Sequence, residues 1–154
     1  MGLTILPLSV ERMRYEGQGL LAEHYEELTL NKEVVKLDVD WLRYEKLEAG
    51  GLLKAWGAWE EGELVGYSCF FLCGHLHYSG LTVAMNDVLF LRKDRRLGMT
   101  GIRLIKESEK QLALLATGPM KIIWHVKHNT SLGPLLERFG YADEEYSMAK
   151  IVGV

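Results

Sequence analysis

Apolar and polar positions recur with different periods along the chain, and each change of period marks a new element. Leu3 to Leu8 reads as a short strand ending at Pro7-Leu8-Ser9, and Ser9 carries the side chain of a helix N-cap. The helix it opens is predicted through Tyr15 and, past Gly17 and Gly19, on to Leu28. A second amino-terminal helix is predicted around Val39 to Ala49, where Trp41, Leu42, Tyr44 and Leu47 recur at helical spacing and Gly50-Gly51 stops the run. The period then drops to two. Leu53 to Trp59 alternates, Glu60-Glu61-Gly62-Glu63 makes a hairpin turn, and Leu64 to Leu72 returns as a strand rich in β-branched and aromatic residues. A loop at Gly74 to Gly80 leads to a third long strand, Thr82 to Leu91.

The helical period resumes over Ile102 to Ala116, with Ile102, Leu104, Ile105, Leu112, Leu114 and Leu115 on one broad apolar side, ending at Thr117-Gly118-Pro119. Met120 to Val126 is a continuous apolar run of the kind found in buried parallel strands. Leu132 to Phe139 is a short helix closed by Gly140, and Tyr146 to Val152 a last strand. The order β-α-α-β-β-β-α-β-α-β predicts an α/β layer on a mixed sheet. No repeat, linker or low-complexity segment interrupts it, so residues 1–154 are expected to form a single domain.

Composition narrows the partners. The chain has 154 residues, 48% hydrophobic and 25% charged, with a formal net charge of −3. A mildly acidic surface is poorly suited to neutralising a phosphate backbone, which disfavours nucleic acid. The apolar run Leu64 to Gly74, closed by Glu63 and His75, falls well short of the ~20 residues of a membrane helix. The amino-terminal Met1-Gly2-Leu3-Thr4-Ile5 lacks the basic and apolar regions of a secretory signal, so a cytoplasmic protein is expected. Cys69 and Cys73 would stand about 13 Å apart on an extended strand, too far for a disulfide, and read as small buried hydrophobes.

The charge is unevenly spread. Arg92, Lys93, Arg95, Arg96, Arg103, Lys106 and Lys110 face only Asp94, Glu107 and Glu109, a local excess of +4 that leaves −7 elsewhere. Such a concentration suits a small, highly charged anion held at one place. Its core, Asp87-Val88-Leu89-Phe90-Leu91-Arg92-Lys93-Asp94-Arg95-Arg96-Leu97-Gly98-Met99-Thr100-Gly101, says strand, basic turn with two glycines, helix start. Glycines there let successive backbone N–H groups point outward, and the helix N-terminus adds partial positive charge, making a phosphate cradle. It is neither a Walker loop nor a Gly-x-Gly-x-x-Gly dinucleotide fingerprint.

In these residues the chain resembles the GCN5-related N-acetyltransferases (GNAT), whose acetyl-CoA motif is Arg/Gln-x-x-Gly-x-Gly/Ala after a strand. With Arg96 leading, Gly101 matches the final glycine and Leu104-Ile105 the helix leucines, while Met99 replaces the middle glycine. With Arg95 leading, Gly98 matches the middle position and Thr100 replaces the last small residue. The Arg96 register is preferred because it puts Leu91 where that family's strand offers backbone groups to the pantetheine arm. Downstream, Asn129-Thr130-Ser131-Leu132 and Leu136-Glu137-Arg138-Phe139-Gly140-Tyr141 resemble the family's Asn-x-x-Ala and Tyr-Glu-Lys-x-Gly-Phe segments. The flavour of the turn is also similar to small acetyltransferases encoded by bacteriophages.

The resemblance implies a mostly antiparallel twisted sheet flanked by helices, with a central parallel pair splayed for acetyl-CoA. It implies acetyl-CoA as cosubstrate and no metal. Cofactor contacts are expected from Leu91, Arg92, Lys93, Arg96, Leu97, Gly98, Met99, Thr100, Gly101 and Asn129. The acceptor would be an amine on a small molecule or protein, and a neutral nitrogen is needed for attack, because an ammonium has no lone pair. Asp87, the only carboxylate in its strand, is the expected base; its alternative is a polar residue pairing with a neighbouring loop or with Arg92. Asn86 points to the opposite face. A Leu91 backbone N–H is the expected oxyanion donor. The family's usual acid tyrosine is replaced by Leu136, which leaves Tyr141, Tyr146, Ser131 and His128 as substitutes, with Tyr146 taken as the candidate, or a thiolate that leaves unaided.

Other features have plainer readings. His75 and His77 share a strand face without a third ligand, and His125 and His128 are expected to be structural. Trp41, Tyr44, Trp56, Trp59 and Tyr78 line either a core or an acceptor pocket. The acidic run Glu23, Glu26 and Glu27 is a solvated helix face or a lure for a cationic acceptor. Open sheet edges make a homodimer one expectation. Two other functions stay open: an inactive acyl-CoA-binding or interaction protein, and a phage acyltransferase that modifies nucleic acid.

Overall fold

The hairpin signals of the middle third build a meander of antiparallel strands. In the computed structural model, which describes residues 2–153, β1 (Thr4–Pro7), β2 (Leu53–Glu60), β3 (Glu63–Gly74) and β4 (Thr82–Leu91) pair antiparallel in that order. The chain then crosses through α4 (Thr100–Leu115) and adds β5 (Met120–Ile123) parallel to β4. The α/β class and the mixed, mostly antiparallel sheet flanked by helices are as the sequence predicts. The parallel pair lies at the sheet's edge, not at its centre, because residues 146–152 form no strand. In that segment Tyr146, Met148 and Val152 are exposed, so its apolar side chains bury nothing that would fix a register.

Strand alternation sorts the sheet into two faces. Tyr67, Cys69 and Phe90 face a layer made of α1 (Val10–Glu16), α2 (Gln18–Leu28) and α3 (Trp41–Ala49). Ser68 and Phe70 face the other way. There the Ser68 hydroxyl meets that of Ser108 on α4 at 2.6 Å, and Phe70 packs edge-on against Trp124. Both hydroxyls are fully buried, and Ser108 also donates to Leu104 O at 2.8 Å, so the polar pair is satisfied where α4 crosses the sheet.

Three amino-terminal helices form where two are predicted. Gly17 ends α1 and opens α2, and a Cβ there would stand 2.6 Å from Met13 O, so no side chain fits the junction. Ser9 caps α1 as expected, accepting from Arg12 N at 3.2 Å. α4 begins two residues earlier than its apolar stripe suggests, with the Thr100 hydroxyl donating to Glu60 Oε1 at 2.7 Å. β5 stops three residues short of the apolar run. Among the described residues no helix is long and apolar enough to cross a membrane.

The chain divides into two units, residues 1–124 and 125–154. The second holds α5 (Leu132–Arg138), closed by Gly140 at φ 91°, whose N–H donates to Glu137 O.

Candidate functional site

Asp87 is the extra residue of a β-bulge. Cys69 pairs with Val88 and Phe70 with Asn86, so β4 fits one more residue than β3 between these pairs. The bulge has its own support. Asn86, 1% exposed, donates through Nδ2 to Cys69 O at 3.1 Å and Val88 O at 3.0 Å. Asp87, half-buried, turns toward α3, where the Tyr44 hydroxyl donates to its Oδ2 in a short hydrogen bond. Burial first, and the Asp87 carboxylate second, push the Tyr44 hydroxyl far above its ordinary value. Tyr44 therefore keeps its proton, and Asp87 is the acceptor. The alternative partners, a loop or Arg92, are not used.

Beyond the bulge β4 has an open edge. Its pairing with β5 covers only Thr82 to Met85, against Met120 to Ile123. Arg92 N donates to Val65 O on the β3 side, so alternation turns the N–H and C=O of Leu91 to the opposite edge, which no strand covers among the described residues and where the C=O accepts from Arg96 Nε. The Leu91 side chain fills the space that Gly66 and Gly101 leave: a Cβ at Gly101 would stand 3.3 Å from Leu91 Cδ2. Leu91, Gly101 and the start of α4 are thus brought together.

The basic turn supplies an anion cradle. Among the described residues nothing accepts from the backbone N–H groups of Leu97 through Ile102, a run that ends in the first turn of the 16-residue α4. Leu97 and Met99 are exposed, and a Cβ on Gly98 would meet nothing within 4 Å. The guanidinium groups of Arg92, Arg95 and Arg96 before this run are already paired with carboxylates. Arg96 forks onto Glu27 of α2 at 2.6 and 2.8 Å, donates through Nε to Leu91 O at 2.8 Å and lies over the Phe90 ring. Arg92 bonds Glu63 at 2.7 Å and Asp94 at 2.8 Å, and Arg95 lies 3.3 Å from Glu60. The hydrogen bond from Arg96 holds the Glu27 carboxyl below the usual carboxylate range, and that from Arg92 does the same for Asp94. Three carboxylates from outside the segment therefore reduce its excess from +4 to +1. Lys93 is exposed beside it.

A cavity of about 250 Å³ opens between the α1–α3 layer and the sheet. Val10, Leu53, Cys69, Val88 and the rings of Trp41 and Tyr44 contribute to its wall. On another side His24 shares a 2.7 Å hydrogen bond with the buried Tyr67 hydroxyl and stacks on Phe90 at 4.8 Å.

Asn129, at φ 60°, and Tyr146, 80% exposed, belong to the second unit and are described there by themselves. Of the aromatic residues, Trp41 and Tyr44 line the cavity. Trp56 packs on Phe70 on the α4 side, Trp59 bonds Glu16, and Tyr78 stacks on His75 in an exposed loop. Cys69 is buried, but Cys73 is exposed, since β3 outruns the helices that cover it. His125 is exposed. Among the described residues no three His, Cys, Asp or Glu side chains are grouped to hold a metal. Sequence reasoning missed the partnership of Tyr44 with Asp87 and of Glu27 with Arg96. Tyr44 was visible only as one aromatic among five, Glu27 only as part of an acidic run.

No protein-family model matches the chain, and no curated protein matches it in sequence. Solved structures do. The ribosomal-protein-alanine N-acetyltransferase of Brucella melitensis biovar Abortus 2308 matches at TM-score 0.77 and 20% identity, covering 100% of both chains. A GCN5-related N-acetyltransferase from Ralstonia eutropha JMP134 matches at TM-score 0.75 and 16% identity, over 99% of this chain and 100% of that one. The chain has the acetyltransferase fold. Glucosamine-6-phosphate N-acetyltransferase from Arabidopsis thaliana shares that fold at TM-score 0.74 and 14% identity, over 99% of this chain and 100% of its own. In the acetyltransferase fold of this chain, the bulged β4, its open edge and the amide run before α4 lie on one continuous stretch of 16 residues, Asp87 to Ile102.

Proposed function

We propose that the chain is an acetyl-CoA-dependent N-acetyltransferase acting on a primary amine. The observation that carries this reading is the run of amides from Leu97 to Ile102, unpaired among the described residues and six positions past Leu91, whose N–H faces the edge that no described strand covers. Phosphate oxygens accept what such a run donates, and the helix N-terminus favours their charge. The Arg96 guanidinium already presents its planar fork to a carboxylate, the geometry that also suits a phosphate. The residues therefore fit a diphosphate at Leu97 to Ile102, with Leu91, Arg92 and Lys93 along the pantetheine arm.

Bound acetyl-CoA supplies an activated acetyl carbon: the amine nitrogen forms the new C–N bond while the C–S bond breaks with its electron pair on sulfur. Asp87 takes the amine proton. Its Oδ2 is held by Tyr44, and Oδ1, which accepts nothing from the described residues, is the oxygen that receives it. Tyr44 fixes the carboxylate's orientation without competing for the proton, since its own pKa is raised by burial. The Leu91 N–H is the donor for charge developing on the acetyl oxygen. Asn129 and Tyr146 carry no step of this reading.

Thermal denaturation with and without acetyl-CoA tests it. Ligand that binds only the native state raises Tm, so 1 mM acetyl-CoA is expected to raise it by several degrees. An unchanged Tm at saturating acetyl-CoA would remove the reading.

A further inference from the structure

The cavity under the amino-terminal helices has a chemical character that the proposed reaction does not require, and it points to the kind of amine accepted. Among the described residues no lysine, arginine, aspartate or glutamate lines it, although a quarter of the chain is charged. Its three tyrosine hydroxyls are spoken for. Tyr44 donates to Asp87, Tyr67 is bonded to His24, and Tyr25 donates to Val35 O at 2.8 Å. What faces inward is hydrocarbon and ring: Val10, Leu21, Val39, Trp41, Leu53 and Val88.

We propose that this cavity binds the apolar, aromatic body of the acceptor amine, with its nitrogen at the Tyr44 end. This rests on the acetyltransferase reading above. Tyr44 belongs to both places: its ring lines the cavity while its hydroxyl reaches Asp87. An amine whose body fills the cavity thus brings its nitrogen to the base. Size agrees, because an apolar cavity of about 150 Å³ already takes benzene and this one is about 250 Å³, room for a phenylethyl or indolylethyl group. A sugar phosphate or a polyhydroxylated polyamine would bury many hydroxyls and charges against a wall that has no charged side chain and few polar ones, and such groups are costly to desolvate.

The test uses the full chain and three named probes without acetyl-CoA: tryptamine, glucosamine 6-phosphate and kanamycin, each followed by calorimetry and Tm. Tryptamine is expected to bind at millimolar or tighter concentration and raise Tm, the other two to do neither. Val39→Trp, on the loop between α2 and α3, is expected to fill the cavity and weaken tryptamine binding at least tenfold while the acetyl-CoA Tm rise persists. Ala55→Leu serves the same purpose should the first variant be poorly folded. Binding of the polar probes instead of tryptamine, or tryptamine binding unmoved in a folded cavity-filled variant, would overturn the inference. A missing acetyl-CoA response with tryptamine binding intact would overturn the acetyltransferase reading alone.

Discussion

Asp87 would be an awkward residue in a regular strand, and the neighbours of the bulge show how it is accommodated. Asn86 satisfies the carbonyls that the bulge leaves out of the ladder, and Tyr44 holds the carboxylate. Replacing Asp87 by Asn removes the proton acceptor and keeps the size. Steady-state assays are expected to show kcat lower by about 10²–10⁴, the usual contribution of a general base, with the acetyl-CoA Tm rise retained. Turnover that survives would assign the base elsewhere. Asn86→Leu tests the support itself: with one buried and one part-buried carbonyl stripped of their donor, denaturant unfolding is expected to show a loss of about 2–4 kcal/mol.

At the scale of elements, the Arg96–Glu27 fork ties α2 to the turn before α4. Glu27 and a phosphate want the same donors, so the two single variants are expected to move acetyl-CoA affinity in opposite directions. Arg96→Ala should weaken binding about tenfold, and Glu27→Gln should strengthen it a few-fold, at a stability cost under about 1 kcal/mol for so exposed a pair. Calorimetric titration decides; equal weakening in both variants would mean that the fork is structural. Close packing gives a second contrast. A Cβ on Gly66 would sit 2.8 Å from Leu91 Cδ1 and 3.0 Å from Phe90 O, whereas one on Gly98 meets nothing within 4 Å. Gly66→Ala is expected to lower Tm clearly and Gly98→Ala to leave it within the range of a neutral surface change.

Over the whole molecule, acid should act through a few paired carboxylates. Glu16 is held below its ordinary value by the hydrogen bond from Arg12, Glu27 by Arg96 and Asp94 by Arg92. A lowered native value means these groups stabilise the fold above the ordinary carboxylate range, and that this contribution is lost as pH falls through the native values. Tm is therefore expected to be flat near neutrality and to decline below about pH 4.5, with the decline blunted in 1 M salt because the pairs are exposed. A Tm that rises on acidification would contradict these assignments. The same distinction between near and far contacts explains how much the sequence revealed. β4 was legible to the residue, since a hairpin precedes it and a basic turn follows, and α4 because Leu104, Ile105 and Leu112 recur at helical spacing and are the positions it buries, whereas Leu114 and Leu115 of the expected stripe are exposed. The pairs that define the site were not: Tyr44 and Asp87 are 43 positions apart and Arg96 and Glu27 are 69, distances over which no periodicity carries information. The expected strand at 146–152 failed for the opposite reason, a local pattern without a face to bury.

The bulge also sets the reading frame of β4. Before Asp87 the odd-numbered Met85 shares its face with Phe71 and the helices; after it the even-numbered Val88 and Phe90 do. Asp87 and Val88 are neighbours in sequence that look the same way, which is how a carboxylate and the cavity floor come to share one face. Deleting Asp87 would remove the carboxylate and the bulge together while leaving both registers in place, because Asn86 and Val88 would then be adjacent opposite Phe70 and Cys69, which already are. A one-residue deletion between 88 and 91 would act differently, drawing the basic turn and the amide run about 3.3 Å along the strand toward Asp87. The spacing between base and anion cradle is thus written in the length of the strand beyond the bulge.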